Sequence, residues 1–212
     1  MGNLFYIKNL KYKDILNIKE LKIKEKIITC ILGESGSGKT TLLKQLNNLL
    51  SPSKGEIYYR DIDINDLNPI DLRRQILMLG QTPVTFEGTI KDNFNIALDF
   101  SDKINVDDNT LKKYLEIANL DKKLDYDATK MSGGEKQRLA LARVLLLDGE
   151  VLLLDEPSSS LDEYTERFVI EKIVNYAKEN NKSVIMVTHS SDIAKKYGDE
   201  IIKLNRGGTI NG

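Results

Sequence analysis

Gly33-Glu-Ser-Gly-Ser-Gly-Lys-Thr40 decides how this chain is read. An apolar run, Ile27 to Leu32, precedes it, and Thr41-Leu-Leu-Lys44 follows as the start of a helix. Strand, glycine-rich loop and helix in that order match the P-loop pattern. Gly33, Gly36 and Gly38 let the backbone take unusual dihedrals and approach a polyphosphate closely. The N–H groups of the loop, through Glu34, Ser35 and Ser37, and of the helix start at Thr41 then face the anion. Lys39 is placed to neutralise β- and γ-phosphate charge, and the Thr40 hydroxyl to coordinate Mg²⁺. A flexible Gly/Ser linker needs neither the strand before nor the helix after.

A second carboxylate-bearing strand end lies downstream. Val151-Leu-Leu-Leu-Asp155-Glu156 is an apolar run that stops on two acids. At the end of a buried parallel strand they emerge beside the loop, where ligands collect in open α/β sheets. Asp155 is suited to hold Mg²⁺, directly or through water, and Glu156 to polarise an attacking water. Between the two motifs lies Met131-Ser-Gly-Gly-Glu-Lys-Gln-Arg138. Ser132 and Glu135 form a capping box, which marks a helix start. With the small Gly133 and Gly134 beside Ser132, that exposed helix end is a second anion site.

The rest of the chain fits one architecture. Phe5, Ile7, Leu21 and Ile23 alternate with polar residues, as half-buried strands do. A helix is expected from about Thr40 to Leu50, and a strand or hairpin arm over Glu56 to Ile64. Asn68-Pro69 opens a short helix through Arg74, and Ile76 to Leu79 is the next strand. From about Thr89 to Leu147 the pattern is mostly helical, clearest over Asn109 to Ala118 and Glu135 to Leu147. Asp162 caps a helix carrying Phe168, Val169, Ile173, Val174 and Ala177 at helical spacing. Ser183 to Val187 and Ile201 to Leu204 are the last strands. The expected fold class is α/β: a P-loop core with a mainly parallel sheet, a small antiparallel β subdomain and an inserted α-helical subdomain.

Composition narrows the function classes. The 212 residues suffice for one domain with a buried core, with or without a small appended lobe. A formal charge of -1 gives no basic excess, so no nucleic acid is expected as a partner. The one cysteine, Cys30, excludes an intrachain disulfide and cannot form a zinc site alone; its apolar run makes it a buried, inert thiol. No stretch is apolar enough to span a bilayer, and the N-terminus lacks the core of a secretory signal. Tyr6 stands where myristoylation after Gly2 favours Ser or Thr. The chain is therefore expected in the cytoplasm, reaching a membrane only through a partner.

These motifs, in this order, resemble the ATP-binding cassette (ABC) ATPases over nearly the whole chain. The resemblance implies a single nucleotide-binding domain spanning 1–212, with its helical subdomain at about 89–147. Gly33 to Thr40 resembles Walker A, and Val151 to Glu156 resembles Walker B with its catalytic glutamate. Ser132 to Gln137 resembles the family signature, with Glu135 and Met131 in place of the commonest glutamine and leucine. Ser159-Ser-Leu-Asp162 resembles the D-loop, Gln81 the Q-loop glutamine, and His189 in Val-Thr-His the switch histidine. Tyr12 resembles the adenine-stacking aromatic, with Tyr6, Tyr58 and Tyr59 as alternatives.

The implied enzyme is an ATPase using ATP and Mg²⁺, working as a head-to-tail dimer with a second, similar subunit. Each ATP would lie between Walker A of one copy and the signature of the other. Gln81 would contact metal or water, His189 would hold the γ-phosphate, and Asp162 would link the two sites. The stretch from Gly80 to Asn93 resembles that of compact bacterial efflux-type ATPase subunits, and together with Ser132 to Arg138 it looks most like iron-export ATPase subunits. That implies a polytopic membrane permease as partner and a place on the inner face of the cell membrane. Two other readings fit less of the sequence. A soluble cassette ATPase acting on nucleic acid or ribosomes usually carries a coiled-coil insertion or a second cassette. A small-molecule P-loop kinase leaves Ser132 to Gln137 and His189 unexplained.

Overall fold

The computed structural model describes residues 2–158 and 161–210. The chain opens with β1 (Asn3–Tyr12) and β2 (Leu16–Lys24), antiparallel strands whose alternating burial puts Phe5, Ile7, Leu21 and Ile23 on a covered face. β3 (Ile28–Leu32) breaks the alternation: Ile28 to Ile31 are all buried, as in a strand covered on both faces. The glycine-rich loop and α1 (Lys39–Leu46) follow, then β4 (Lys54–Tyr59), β5 (Ile62–Asp63), α2 (Pro69–Gln75) and β6 (Ile76–Leu79). Three helices, α3 (Ile90–Phe100), α4 (Asp108–Ile117) and α5 (Gly133–Leu146), come before β7 (Val151–Asp155). Finally α6 (Glu163–Glu179), β8 (Ser183–Val187), α7 (Ser191–Tyr197) and β9 (Glu200–Lys203) alternate.

Two sheets result. The antiparallel one runs β2-β1-β4-β5, and the other runs β6-β7-β8-β3-β9 with every neighbour pair parallel. One face of the parallel sheet, through Ile31, Leu153 and Ile185, packs on Leu42, Leu43 and Leu46 of α1 and on the antiparallel sheet. The opposite face, through Cys30, Leu152, Leu154 and Met186, packs on the remaining long helices. Phe94 and Leu98 of α3 and Leu111 and Leu115 of α4 belong to this same apolar cluster, so the inserted helices share their core with the sheet. Burial at this depth pushes the Cys30 thiol up to about 11, which leaves it protonated and inert.

Two differences from expectation stand out. α1 stops at Leu46 rather than near Leu50, because Asn47 takes the C-cap and Asn48 turns into left-handed backbone at φ 55. α7 is a seven-residue helix capped by Ser190 that hydrophobic periodicity did not announce. No helix among the described residues is long and apolar enough to cross a membrane.

Phe94 ties the inserted helices to the sheet and is fully buried. Phe94→Ala is expected to lower unfolding free energy by about 3–5 kcal/mol, the usual cost of emptying a buried aromatic site. Urea denaturation measures it; a loss well under 1 kcal/mol would show that α3 is not anchored through this ring.

Candidate active site

Every α-helix but one begins under a side chain that accepts a backbone N–H. The caps are Asn68, Thr89, Asp107, Ser132, Asp162 and Ser190. The exception is α1, whose cap is Gly38, at φ 98 and with no side-chain acceptor. At that φ any side chain is strained, and a Cβ would also lie 2.7 Å from the Leu16 side chain and 3.1 Å from the Ile15 carbonyl oxygen, so glycine is favoured. The first-turn N–H groups of a helix have no partner within the helix, and the end carries partial positive charge. Here that end borders a cavity of about 350 Å³ lined by Ile15, Ser35, Gly36, Gly38, Lys39, Thr40, Thr41, Gln81, Glu156 and His189. An uncapped helix end at a cavity is a place for an anion.

Lys39 is buried, and its Nζ donates to the carbonyls of Gly33 at 2.8 Å and Glu34 at 2.9 Å. Burial lowers its pKa, against the upward pull of Glu156 and Asp155. Within the loop, the Ser37 hydroxyl is buried without a hydrogen-bond partner among the described residues, whereas the Glu34 side chain is exposed with its carboxylate 3.9 Å from Arg206 Nε.

The far wall comes from the ends of three other strands. Asp155 closes β7 almost wholly buried, and its Oδ2 finds no hydrogen-bond partner among the described residues. Burial pushes its carboxyl up, an effect opposed by the Thr40 hydroxyl and increased by Glu156. An orphaned buried carboxylate oxygen beside a threonine hydroxyl fits a divalent cation. Mg²⁺ asks little more of a protein, since water and phosphate oxygens complete its octahedron.

Glu156 is the meeting point of the site. Gln81 Nε2 donates to its Oε2 at 3.1 Å, and His189 Nε2 lies 2.6 Å from its Oε1. Its backbone is left-handed at φ 51, an uncommon state for a residue with a side chain. Its N–H donates to the Val187 carbonyl at 3.1 Å, and its own carbonyl accepts from Gln137 Nε2 at 2.8 Å.

The fold keeps other expected site residues away from this cavity. Ser132 and Glu135 form the expected capping box at the start of α5: the Ser132 hydroxyl accepts the Glu135 N–H at 3.3 Å and Glu135 Oε2 the Ser132 N–H at 2.9 Å. Glu135 Oε1 also pairs with Lys122 Nζ at 3.1 Å. The Ser132 N–H and Lys122 hold the Glu135 carboxyl below the usual range, so the departure from the family's commonest glutamine is matched by a cation. Ser132, Gly133, Gly134 and Glu135 do not line the cavity. A Cβ at Gly133 would meet no atom within 4 Å, so nothing described in this chain requires glycine there.

Asp162 caps α6, accepting the Thr165 N–H at 3.0 Å and hydroxyl at 2.7 Å; Ser159 and Ser160 of the same motif lie outside the described residues. Tyr12 is half-buried at the end of β1 with Lys13 Nζ 5.3 Å from its ring centre, and it does not line the cavity. Ile15, three residues on, does. The sequence reading missed Ile15, which no local motif marks.

A parallel sheet that gathers a glycine-capped helix end, a buried lysine and a buried carboxylate at one edge defines a P-loop nucleotide-binding protein. Comparison with known proteins agrees. A family model described as ABC transporter matches residues 16–159. The chain is 36% identical over 199 residues to Protein STAR1 of Oryza sativa subsp. japonica, covering 93% of this chain and 57% of STAR1. It is 34% identical over 203 residues to the energy-coupling factor transporter ATP-binding protein EcfA2 of Enterococcus faecalis, covering 88% of this chain and 68% of that protein. Among solved structures, the ATP-binding cassette MJ0796, a dimer in a post-hydrolysis state bound to ADP and Pi, superimposes with a TM-score of 0.85 at 28% identity, covering 98% of this chain and 97% of that one. The chain belongs to the ABC transporter family, as one of its ATP-binding cassettes.

Lys39→Ala removes the lysine that lines the cavity. Hydrogen bonds to charged groups contribute about 1.5–3 kcal/mol, so the Kd for MgATP should rise roughly 10- to 100-fold. Isothermal titration of the purified protein decides this, and an unchanged Kd would remove Lys39 from the phosphate site.

Proposed function

We propose that this chain is the ATP-binding and ATP-hydrolysing subunit of an ABC transporter. Two copies, or this chain and a similar one, work head to tail and drive a separate membrane permease from the inner face of the cell membrane. One observation carries the reading: the chain holds two anion-ready helix ends that do not share a cavity. The α1 end faces Lys39 and Glu156, whereas Ser132 and Gly133 are exposed at the α5 end, and nothing described in this chain asks for glycine at 133. A second copy, turned head to tail, uses both ends at once.

The geometry supports the following residue roles. The 33–38 loop and the first turn of α1 bind the polyphosphate, with Lys39 exchanging its loop carbonyls for β- and γ-phosphate oxygens. Thr40 and Asp155 would hold Mg²⁺, with Gln81 beside it; bound there, the ion would neutralise charge on the β- and γ-phosphates. Glu156 accepts a hydrogen bond from the attacking water and draws its proton away. His189, already beside Glu156 Oε1, is placed to hold the γ-phosphate, and Ser132 with Gly133 and Gly134 closes over that phosphate from the other copy. Ile15 and Tyr12 form the side toward which the base would extend. Asp162, at the head of α6, would report between the two sites.

Glu156→Gln and Asp155→Asn separate the two acids. Glu156→Gln keeps shape but loses the base, so it should bind ATP nearly normally and hydrolyse it at least roughly 100-fold more slowly. It should also accumulate as an ATP-bound dimer, since binding that occurs only in the dimer shifts the equilibrium by mass action. Asp155→Asn should lose Mg²⁺-dependent nucleotide binding as well as turnover. Phosphate release, nucleotide titration and light scattering on both variants test this. Wild-type turnover in Glu156→Gln, or a monomer at saturating MgATP, would refute the reading.

A further inference from the structure

The helix that presents Ser132 also reaches the hydrolytic carboxylate of its own chain. Gln137, one turn into α5, is 4% exposed, and its Nε2 donates to the Glu156 carbonyl at 2.8 Å. Glu156 needs such a tie. Its left-handed backbone at φ 51 is disfavoured for any residue with a Cβ, and such conformations persist only where the surroundings over-determine them. Two hydrogen bonds do so here, one at each peptide group flanking its Cα. The Val187 carbonyl takes the N–H at 3.1 Å, and Gln137 donates to the carbonyl. The Val187 bond continues the pairing of β7 with β8, which fixes Asp155 opposite Val187. The Gln137 bond is the one that comes from outside the sheet. If it is released, the second peptide is free to rotate toward ordinary backbone, and the Glu156 side chain swings away from Gln81 and His189.

We propose that Gln137 is a positioning residue for hydrolysis: it fixes the left-handed peptide that aims the Glu156 carboxylate. The inference rests on the reading of Glu156 as the group that polarises water and of Ser132 as part of the partner's phosphate site. On that reading α5 serves both sites of the dimer. Ser132, at its exposed end, touches the ATP held by the other copy, and Gln137, five residues on, holds the carboxylate of its own site. The seating of α5 on one nucleotide thereby sets the aim of Glu156 at the other.

Steady-state kinetics and ATP-driven dimerisation test this on Gln137→Leu, Gln137→Met and Gln137→Glu. Gln137→Glu keeps nearly the same shape but sets a carboxylate against the Glu156 carbonyl. Misplacing a reacting group by about 1 Å costs on the order of 100-fold, so kcat should fall roughly 10- to 100-fold while KM for ATP and nucleotide-driven dimerisation stay within about twofold. A side chain needed only for packing would instead lower the melting temperature and dimerisation together with kcat, and would spare the isosteric Gln137→Glu. The deciding arm repeats Gln137→Leu on the Glu156→Gln protein, where residual turnover should not change, because no base remains to be aimed. An unchanged kcat in all three single variants, or an equal fold-loss on the Glu156→Gln background, overturns the role given to Gln137. Wild-type turnover in Glu156→Gln alone overturns the reading of Glu156, and the inference falls with it.

Discussion

The structure is organised around one helix end that its own chain does not neutralise. α1 starts from Gly38 with no capping acceptor, while the other α-helices each receive a side-chain acceptor at their first turn. That end attracts anions only if nothing else satisfies it. The parallel sheet does the rest. In a parallel sheet all carboxyl ends lie along one edge, so the residues following β3, β6, β7 and β8 arrive together. Those residues are the 33–38 loop, Gln81, Glu156 with Asp155 at the strand's last position, and His189. Ser35 and His189, 154 residues apart in sequence, thus share one small cavity, because five strands run the same way.

The same edge carries several unfavourable features. Lys39 and Asp155 are both buried, and burial moves each toward its neutral form. Among the described residues one Asp155 oxygen and the Ser37 hydroxyl have no hydrogen-bond partner, and Glu156 adopts backbone that costs a residue with a side chain about 1–3 kcal/mol. These features are tolerated because the sheet beneath them is packed on both faces, by α1 and the antiparallel sheet on one and by α3 to α7 on the other. Buried charges and left-handed backbone gathered at one sheet edge identify a functional site more surely than any one of them alone.

Much of this was legible in the sequence because the chemistry falls where apolar runs end. Ile27 to Leu32 stops at the phosphate loop, Val151 to Leu154 stops at Asp155, and Val184 to Val187 stops just before His189. β8 occupies Ser183–Val187 as its composition requires. What could not be read depends on contacts between distant positions or on short segments. α7 is too brief to show a period, and the end of α1 turns on Asn48 adopting a left-handed conformation that asparagine only sometimes takes. Ile15 rather than Tyr12 lining the cavity follows from how β1 and β2 are joined. The pairing of Glu135 with Lys122 and of Gln137 with the Glu156 carbonyl spans 13 and 19 residues with no periodic signal between them.

The position of α5 leaves the segment that begins at Ser132 exposed and yet held in place. Its capping box spends the Ser132 N–H on Glu135 and the Glu135 N–H on Ser132, so the Ser132 hydroxyl still has its proton to donate outward. Lys122 cancels the carboxylate charge that would otherwise repel an incoming anion. Behind that end the helix is buried from Leu139 to Arg143, where its side chains pack under the sheet face that carries β7. An exposed tip rigidly backed in this way cannot adjust to a ligand by bending; it has to be brought to the ligand as a unit. In the proposed head-to-tail dimer, two-fold symmetry does this for both sites at once, because each copy supplies one loop and one tip to the same self-complementary face. Closure of the dimer is then the step that completes two sites together, and a single copy, however well it binds nucleotide at Lys39, holds only half of each.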